Sequence, residues 1–351
     1  MAIFELQHIA LSGIAAAVPK QTESNWEYDA ITEAERKLLI KTTGVEERRV
    51  VNDTTTTSDL CAEAARQLLE KTNTSKEEIE VLIFVSQSCD YYLPATAITL
   101  QDRLGLSKNT VALDIGLGCS GYVYGLSVIS SMMQAMNLKK GLLLVGDVST
   151  IMCSKDDKST YPLFGDAGTA TLLESTNQQS AAFYNLMSDG SGYQSIMVPD
   201  GGMRHKLSPE SFEKKEISKG IARNRLSLVL DGMEVFNFAI GEVPKSIRSL
   251  HEKFGLTTEE VDYFVMHQAN KLMNETIRKK LKIDPHKTPY SIGKFGNTSS
   301  ASIPLTMVTE IRDELESKPL NLLLSGFGVG LSWGNVRLKT DKITCLPLIE
   351  M

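Results

Sequence analysis

An internal repeat is the sequence feature that most constrains the fold of this chain. Short apolar segments recur in the same order at nearly one spacing, and a glycine turn at Cys119 parallels another at Asn297, 178 residues later. The matching segments are 78–84 with 260–266, at an offset of 182, and 142–146 with 322–326, at an offset of 180. Single apolar matches arise by chance, but three in order predict two similar halves, divided as 1–175 and 176–351. Cys119 and Asn297 would then lie in equivalent turns and face one site where the halves meet.

Helical and strand patterns alternate along the chain. The predicted helices are 58–71, 95–104, 120–137, 234–253, 270–281 and 301–316, and the predicted strands are 80–86, 111–115, 141–146, 261–266 and 320–325. Residues 3–11 also alternate like a strand, and the polar stretch 200–225 is predicted to be a mobile surface segment. This alternation is typical of an α/β fold with a largely parallel sheet.

Composition favours a globular protein without nucleic-acid, membrane or metal chemistry. Hydrophobic residues make up 42% of the chain, and no apolar run reaches the about 20 residues that span a bilayer. The net charge of −6 argues against general affinity for nucleic acid. Five scattered cysteines without a CxxC pair argue against a disulfide framework or a zinc site and fit a reducing cytosol. We therefore expect a cytoplasmic protein with no cofactor and no metal.

One of these cysteines has a sequence context typical of a nucleophile. Cys119 follows the apolar strand 111–115 in a glycine-rich turn, and a helical apolar pattern begins directly after it. A helix N-terminus favours negative charge and hence the thiolate form of a cysteine. The alternative is a small buried cysteine in a tight strand–helix contact, which is the commoner case for an arbitrary cysteine.

A histidine and an asparagine far downstream favour the catalytic interpretation. His267 ends an apolar run in the sequence VMHQAN, and Asn297 lies in the turn KFGNTSSAS, which leads into a helix. Taken alone, His267 would be a core histidine and Asn297 a turn residue. Together with Cys119 they form the Cys–His–Asn combination of a covalent catalyst.

Seven motifs in order along nearly the whole chain point to one family. They are TGVEERR (43–49), GCSG (118–121), FGDAG (164–168), GMEVF (232–236), HQAN (267–270), GNTS (296–299) and FGVGLSWG (327–334). With these motifs the chain resembles the β-ketoacyl-acyl-carrier-protein synthase III enzymes of fatty acid biosynthesis, condensing enzymes of the thiolase superfamily. The resemblance implies a thiolase-like α/β fold of two duplicated halves in five layers, αβαβα, and a homodimer.

The resemblance also implies a decarboxylative Claisen condensation of an acyl thioester primer with malonyl-acyl carrier protein. Cys119 would take the acyl group from the primer. The backbone N–H groups of Cys119 and, by resemblance, Val329 would stabilise the oxyanion. An N–H of His267 and the amide of Asn297 would stabilise the negative charge that decarboxylation places on the malonyl thioester oxygen.

Further roles rest on the same resemblance. Phe236 is expected beside the cysteine in the acyl pocket, the alternative being a core aromatic residue. Leu93 lies in the YYLP loop (91–94), which in relatives reaches across the dimer to close the partner's acyl pocket. Basic residues on the helix after His267 would dock the acyl carrier protein, the alternative being a solvated helix face. The predicted docking residues are Lys271, Arg278, Lys279 and Lys280.

The chain departs from the family pattern at the residues that usually bind coenzyme A. Leu38 and Thr42 stand at the places of the usual Trp and Arg, and Leu272 replaces an Arg after the HQAN motif. At another position of this pattern, in the segment 157–160, the chain keeps a basic residue, Lys158. These departures suggest a primer delivered on a carrier protein, or a specialised acyl pathway.

Two other functions stay open at this point. The protein could move the Cys119-bound acyl group without condensation, although the His267 and Asn297 pair favours condensation. It could also be a silent partner subunit in a heterodimer, although silent homologues typically lose the nucleophile.

Overall fold

Two large β-sheets and the helices packed on them make up the chain, for which the computed structural model describes residues 2–177 and 180–351. The strands are β1 (Ala2–Gln7), β2 (Ile9–Val18), β3 (Thr22–Ser24), β4 (Glu47–Arg49), β5 (Val81–Val85), β6 (Val111–Ile115), β7 (Lys140–Val148), β8 (Asp166–Ser175), β9 (Ala181–Ser188), β10 (Ile196–Met197), β11 (Lys215–Ser218), β12 (Ile221–Arg223), β13 (Val229–Leu230), β14 (Tyr263–Met266), β15 (Leu320–Gly328), β16 (Ser332–Thr340), β17 (Thr344–Cys345) and β18 (Ile349–Glu350). The α-helices are α1 (Glu33–Thr43), α2 (Thr57–Lys71), α3 (Thr96–Arg103), α4 (Gly121–Met136), α5 (Gly232–Phe254), α6 (Lys271–Lys280), α7 (Ile292–Phe295), α8 (Ser302–Glu310) and α9 (Arg312–Ser317). Short 3₁₀ helices lie at Lys76–Glu78, Ser149–Met152, Gly190–Ser195, Pro209–Phe212, Pro285–Lys287 and Ser299–Ala301.

Both large sheets are mixed. The first has the strand order β17-β2-β8-β7-β5-β6, with β18 also paired to β2, and the second has the order β1-β9-β16-β15-β14. β5 runs parallel to β6 and β7, and β14 runs parallel to β15, but β8 and β16 are antiparallel to both of their neighbours. The prediction of a largely parallel sheet is therefore wrong. Connections such as 329–331, between β15 and β16, are too short for the crossover that parallel strands need.

The helices complete five layers. α4 and α8 lie between the sheets, where Tyr122, Leu126 and Leu305 join one apolar cluster with Ile83 of the first sheet and Leu324 of the second. α2 and α3 cover the outer face of the first sheet, and α5 and α6 cover the outer face of the second. Burial on both faces explains why every residue of β5 is apolar. The predicted five-layered αβαβα architecture is confirmed.

The predicted repeat is visible in the strand pairing. β5, β7, β8 and β2 of the first sheet pair in the same order of directions as β14, β15, β16 and β9 of the second. β1 adds to the second sheet beside β9, whereas β17 and β18 add to the first sheet beside β2. Each sheet therefore includes a strand from the opposite end of the chain. The division between residues 175 and 176 stays a prediction.

Some predicted elements differ from those observed. The helix predicted at 301–316 is divided at Ile311, whose φ of −131° and ψ of 19° are not helical. The strand predicted at 3–11 is divided at His8, whose φ of 65° is in the left-handed region. The polar stretch 200–225 is not featureless, because β11 and β12 form a hairpin within it. In the described part of the chain, no helix has both the length and the hydrophobicity to cross a membrane.

Candidate active site

Cys119 lies in the turn between β6 and α4, buried against the end of β15. The closest approach is to Gly328, where an added Cβ would lie 2.6 Å from the Cys119 Cβ and 2.8 Å from its Sγ. Gly328 also has a φ of 155°, which side chains rarely adopt. Only glycine therefore lets the strand pass this close to the thiol.

The thiol of Cys119 is held mainly in its neutral form. Burial raises the pKa of Cys119 to about 11, and the carboxylate of Asp147 acts in the same direction. Hydrogen bonds from the backbone of Val329, the Ser299 side chain and the Cys119 backbone oppose this shift without overcoming it. The expected thiolate is thus not favoured in the resting site, because desolvation exceeds the effect of the hydrogen bonds that reach the sulfur. The two backbone groups predicted as oxyanion donors, those of Cys119 and Val329, both lie against the sulfur.

His267 follows β14 and is fixed from both sides. Its backbone N–H donates to the Ser325 carbonyl at 2.8 Å, and the Asn274 amide donates to its carbonyl at 3.0 Å. Its ring nitrogen Nδ1 lies 2.7 Å from the Ser302 Oγ, and the ring packs edge-on against Phe327. Burial lowers the pKa of His267 to about 3, although a hydrogen bond to the Ser299 backbone acts in the opposite direction. The imidazole is therefore neutral near pH 7.

Asn297 lies in the turn after α7 with its backbone tied to the loop before β8. Its N–H donates to the Leu163 carbonyl at 2.8 Å, and its own carbonyl accepts from the Gly165 N–H at 3.1 Å. The side-chain oxygen Oδ1 accepts the Ser299 N–H at 2.9 Å. This bond identifies the amide oxygen, so Nδ2 is the atom with hydrogens to offer.

The three residues line one cavity of about 200 Å³. Its wall combines polar groups with apolar side chains from both halves of the chain. The lining is Gln87, Cys119, Asp147, Ser149, Met152, Ser159, Leu163, Phe164, Ile196, Leu228, Leu230, Gly232, Val235, His267, Ala269, Asn270, Met273, Asn297, Ser299, Phe327, Gly328 and Val329. The structure thus brings together Cys119, His267, Asn297 and Val329, as the sequence predicts.

The predicted acyl-pocket residues do not line this cavity. Leu93 is 87% exposed at the tip of its loop. Phe236 is half-buried in the cluster outside the second sheet, and its neighbour Val235 lines the cavity instead. Successive residues of a helix point about 100° apart, so Val235 faces the cavity while Phe236 faces the outer cluster.

The predicted carrier-docking residues lie on α6 with different surroundings. Lys271, Lys279 and Lys280 are exposed, and the Nζ of Lys280 donates to a carbonyl of α5 at 3.0 Å. Arg278 is turned back onto its own helix, where it forms a 2.8 Å ion pair with Glu275 and is 11% exposed. Its guanidinium is therefore committed within the fold, and the structure does not support a docking role for Arg278.

The positions that depart from the coenzyme A pattern lie on the surface. Leu38 is 64% exposed, Leu272 is 50% exposed, and Thr42 is also exposed. The surviving cation, Lys158, forms a 3.2 Å ion pair with Glu35.

Sequence reasoning missed Asp147 and Ser299, two polar residues of the cavity wall. Asp147 is a wholly buried carboxylate near the end of β7, and Ser299 lies 4.0 Å from the Cys119 sulfur. The available signals were an aspartate within the buried strand LLLVGDV and the serine run that follows Asn297. In the described residues, no group of three or more His, Cys, Asp or Glu side chains is placed to hold a metal ion.

Comparison with known proteins places the same residues in a family context. The family model for 3-oxoacyl-[acyl-carrier-protein] synthase III matches residues 113–190, and the model for the C-terminal part of the same enzymes matches 251–340. The beta-ketoacyl-[acyl-carrier-protein] synthase III of Clostridioides difficile is 33% identical over 92% of this chain and 95% of its own length. A crystal structure of a 3-oxoacyl-(acyl-carrier protein) synthase from Burkholderia xenovorans covers 100% of this chain and 99% of its own, with a TM-score of 0.94 and 36% identity.

The fold and the cavity define a condensing acyltransferase with a thiolase-like architecture. The chain belongs to the β-ketoacyl-acyl-carrier-protein synthase III family.

Proposed function

We propose that this member of the family condenses an acyl thioester primer with malonyl-acyl carrier protein through an acyl-Cys119 intermediate, releasing CO₂. The observation that carries the proposal is the convergence of Cys119, His267 and Asn297 in one buried cavity. A nucleophile and two neutral N–H donors are what a decarboxylative condensation requires.

In the first half-reaction the Cys119 sulfur attacks the thioester carbon of the primer. The carbon–sulfur bond to the primer carrier breaks, and the thiol proton leaves with the released carrier thiol. The backbone N–H groups of Cys119 and Val329 stabilise the oxyanion of the tetrahedral intermediate, a role that their hydrogen bonds toward the sulfur support. Loss of one such donor typically costs about 3–4 kcal/mol of transition-state stabilisation.

In the second half-reaction the malonyl group loses its carboxylate as CO₂. The electron pair of the broken carbon–carbon bond moves onto the thioester oxygen, and the enolate carbon then attacks the acyl-Cys119 carbonyl. The Cys119 thiolate leaves and takes up one proton, which regenerates the thiol. The products are the β-ketoacyl-carrier protein and CO₂.

His267 and Asn297 are hydrogen-bond donors in this step rather than proton carriers. A pKa of about 3 leaves His267 neutral, so it neither accepts nor gives up a proton readily near pH 7. Nδ1 shares a hydrogen bond with the Ser302 hydroxyl, and the tautomer that places the ring proton on Nε2 lets His267 donate a hydrogen bond to the enolate oxygen. Asn297 donates from Nδ2, because its Oδ1 already accepts the Ser299 N–H.

The active form is a homodimer that pairs two copies through β6. This strand is the last of the first sheet, and its residues are all half-buried. Val111 donates to Glu80, and Ile115 accepts from Ser86, on the side of β5. The N–H and carbonyl groups of Ala112 therefore point away from β5. An apolar edge strand with its outer backbone groups exposed favours pairing with a second strand.

The acyl carrier protein docks on α6 through Lys271, Lys279 and Lys280, which are exposed on an otherwise acidic protein. Leu93 contributes to the acyl pocket of the partner subunit, for which its 87% exposure in a single chain is suitable. The enzyme works in the cytoplasm.

The primer arrives on a carrier protein rather than on coenzyme A. The observation that favours this substrate is that Leu38 and Leu272 present exposed apolar side chains and that Lys158 is already paired with Glu35. A planar guanidinium that could hold an adenine or a phosphate is absent from these three positions.

The intact mass of the protein tests the function directly. Wild type and Cys119→Ala are incubated with a panel of acyl-CoAs and the matching acyl-carrier proteins, and malonyl-carrier protein is then added. We expect one acyl group on wild type only, faster transfer from the carrier proteins, and CO₂ release on adding the malonyl donor. Acylation without CO₂ release would indicate simple acyl transfer, and no acylation from any donor would indicate a silent subunit.

A further inference from the structure

Asp147 has no part in the chemistry described above, yet it forms part of the wall of the reaction cavity. The residue is 1% exposed and lies near the end of β7. Burial raises the pKa of its carboxyl group, while several hydrogen bonds oppose the shift. A buried acid costs stability unless its oxygens are well satisfied, so its contacts are informative.

Both carboxylate oxygens are occupied by donors from two different segments. Oδ1 accepts the Gln87 N–H at 2.7 Å and the Ser86 hydroxyl at 3.1 Å, with the Ser88 hydroxyl at 3.5 Å. Oδ2 accepts the Ser300 hydroxyl at 2.6 Å and the Ser300 N–H at 3.1 Å. The Ser299 side chain is a further partner. Asp147 thus joins the end of β5 to the turn that follows Asn297.

That turn determines how the Asn297 amide is oriented. Ser299 has a φ of 49°, in the left-handed region that residues other than glycine seldom occupy. In this conformation its N–H points back and donates to the Asn297 Oδ1 at 2.9 Å. The two serines beside this bond, Ser299 and Ser300, are the ones that Asp147 holds.

We propose that Asp147 is a positioning residue, which holds the 297–300 turn so that the Asn297 amide presents Nδ2 to the enolate oxygen during decarboxylation. The proposal rests on the function proposed above. Backbone strain of this kind persists only where the surrounding contacts determine it, and Asp147 supplies three contacts to this turn, two with Ser300 and one with the Ser299 side chain.

The test compares two half-reactions in Asp147→Asn. An asparagine has a single acceptor oxygen, so it cannot satisfy the Gln87 and Ser300 donors together. We expect decarboxylation of malonyl-carrier protein to fall by at least tenfold. Alkylation of Cys119 by iodoacetamide should be as fast as in wild type or faster, because a neighbouring negative charge has been removed.

Asp166→Asn is the matched control. Asp166 is also a buried carboxylate that accepts two backbone N–H groups and a hydroxyl, from Val51 and Thr150, but it does not line the cavity. Its loss should lower the thermal unfolding temperature as much as Asp147→Asn does, with decarboxylation per folded molecule unchanged. Equal decarboxylation by the two variants, or a parallel loss of alkylation and decarboxylation in Asp147→Asn, would overturn the proposal.

A double-mutant cycle with Asn297→Ala shows whether Asp147 acts through Asn297. Because the amide is already missing in Asn297→Ala, adding Asp147→Asn should lower decarboxylation no further. Fully additive losses would overturn the positioning role. A wild-type protein that does not decarboxylate malonyl-carrier protein would contradict the proposed function instead, so the two failures are distinguishable.

Discussion

Gly328 faces Cys119 so closely that a Cβ on the glycine would lie 2.8 Å from the sulfur. We expect Gly328→Ala to abolish acyl transfer to Cys119, because the added methyl group occupies the space of the sulfur and displaces the 329–331 loop. The φ of 155° adds backbone strain. Together, the steric clash and this strain should lower the free energy of unfolding by about 1–3 kcal/mol. Urea unfolding and intact-mass acylation measure the two effects.

Gly241→Ala is the control for this substitution. Gly241 lies within α5, and nothing is within 4 Å of an added Cβ. Alanine should leave acylation unchanged and stabilise the protein by about 0.5–1 kcal/mol. Full acylation of Gly328→Ala would show that the loop is not fixed in its place.

The reactivity of Cys119 should rise steeply with pH. Burial, and in smaller measure Asp147, raises the pKa of this thiol to about 11, so the thiolate fraction increases tenfold per pH unit up to that value. Neutral His267 adds no positive charge to the cavity in this range. Alkylation by iodoacetamide, followed at the Cys119 peptide by mass spectrometry, should still be increasing at pH 10. A plateau below pH 8 would indicate an activated thiolate.

His267 should make the protein less stable in mild acid. The pKa of about 3 for His267 in the folded protein lies below the ordinary histidine pKa of about 6.5, so the unfolded state binds a proton first as the pH falls. The contribution of neutral His267 to the free energy of unfolding is complete above pH 6.5 and is lost progressively as the pH falls below that value. Between pH 7.5 and 5.5, wild type should lose about 1 kcal/mol more free energy of unfolding than His267→Gln. Parallel pH curves for the two proteins would contradict the buried neutral state.

Proline at position 112 should separate the proposed dimer. The N–H of Ala112 faces away from β5, and proline is tolerated at such an edge position. Ala112→Pro should therefore remain folded but lose the hydrogen bond to the second copy, which light scattering would record as a halved mass. Ala112→Ser, which keeps the N–H, should remain a dimer. A dimer that survives the proline would exclude β6 as the interface.

Reversal of charge on α6 should weaken the encounter with the carrier protein. Lys279→Glu should raise the KM for malonyl-carrier protein severalfold at low salt with little change in kcat, because a surface charge mainly affects association. Lys71→Glu is the control, since that exposed lysine ends α2 on the opposite outer layer. Equal effects of the two substitutions would indicate a nonspecific response to net charge.

The repeat and the three residues that converge in the cavity could be predicted from the sequence, and the five layers could be predicted from the resemblance to the family. Each of Cys119, His267 and Asn297 follows an apolar segment or a glycine turn, and such local patterns are legible without coordinates. The protonation state of Cys119 was not predictable, because a helix N-terminus is visible in a sequence, whereas the burial that raises the pKa of the thiol is not. The ion pair between Arg278 and Glu275 has helical i, i+3 spacing and could have been foreseen.

Asp147 shows what local patterns leave out. Its partners come from residues 86–88 and 299–300, and only the folded chain brings those segments to one carboxylate. The mixed sheets were missed for a related reason. β2 and β9 carry no clear alternation, and their pairing with β8 and β16 depends on contacts distant in sequence.

The exchange of strands between the chain ends affects how the protein can be made. Synthesis proceeds from the N-terminus, so the first sheet emerges from the ribosome with the outer edge of β2 uncovered. That edge is closed only when residues 344–350 have been translated and have paired with it. Until then the nascent first half exposes the unpaired edge of β2. A chaperone that covers strand edges would protect this edge while the second half is translated.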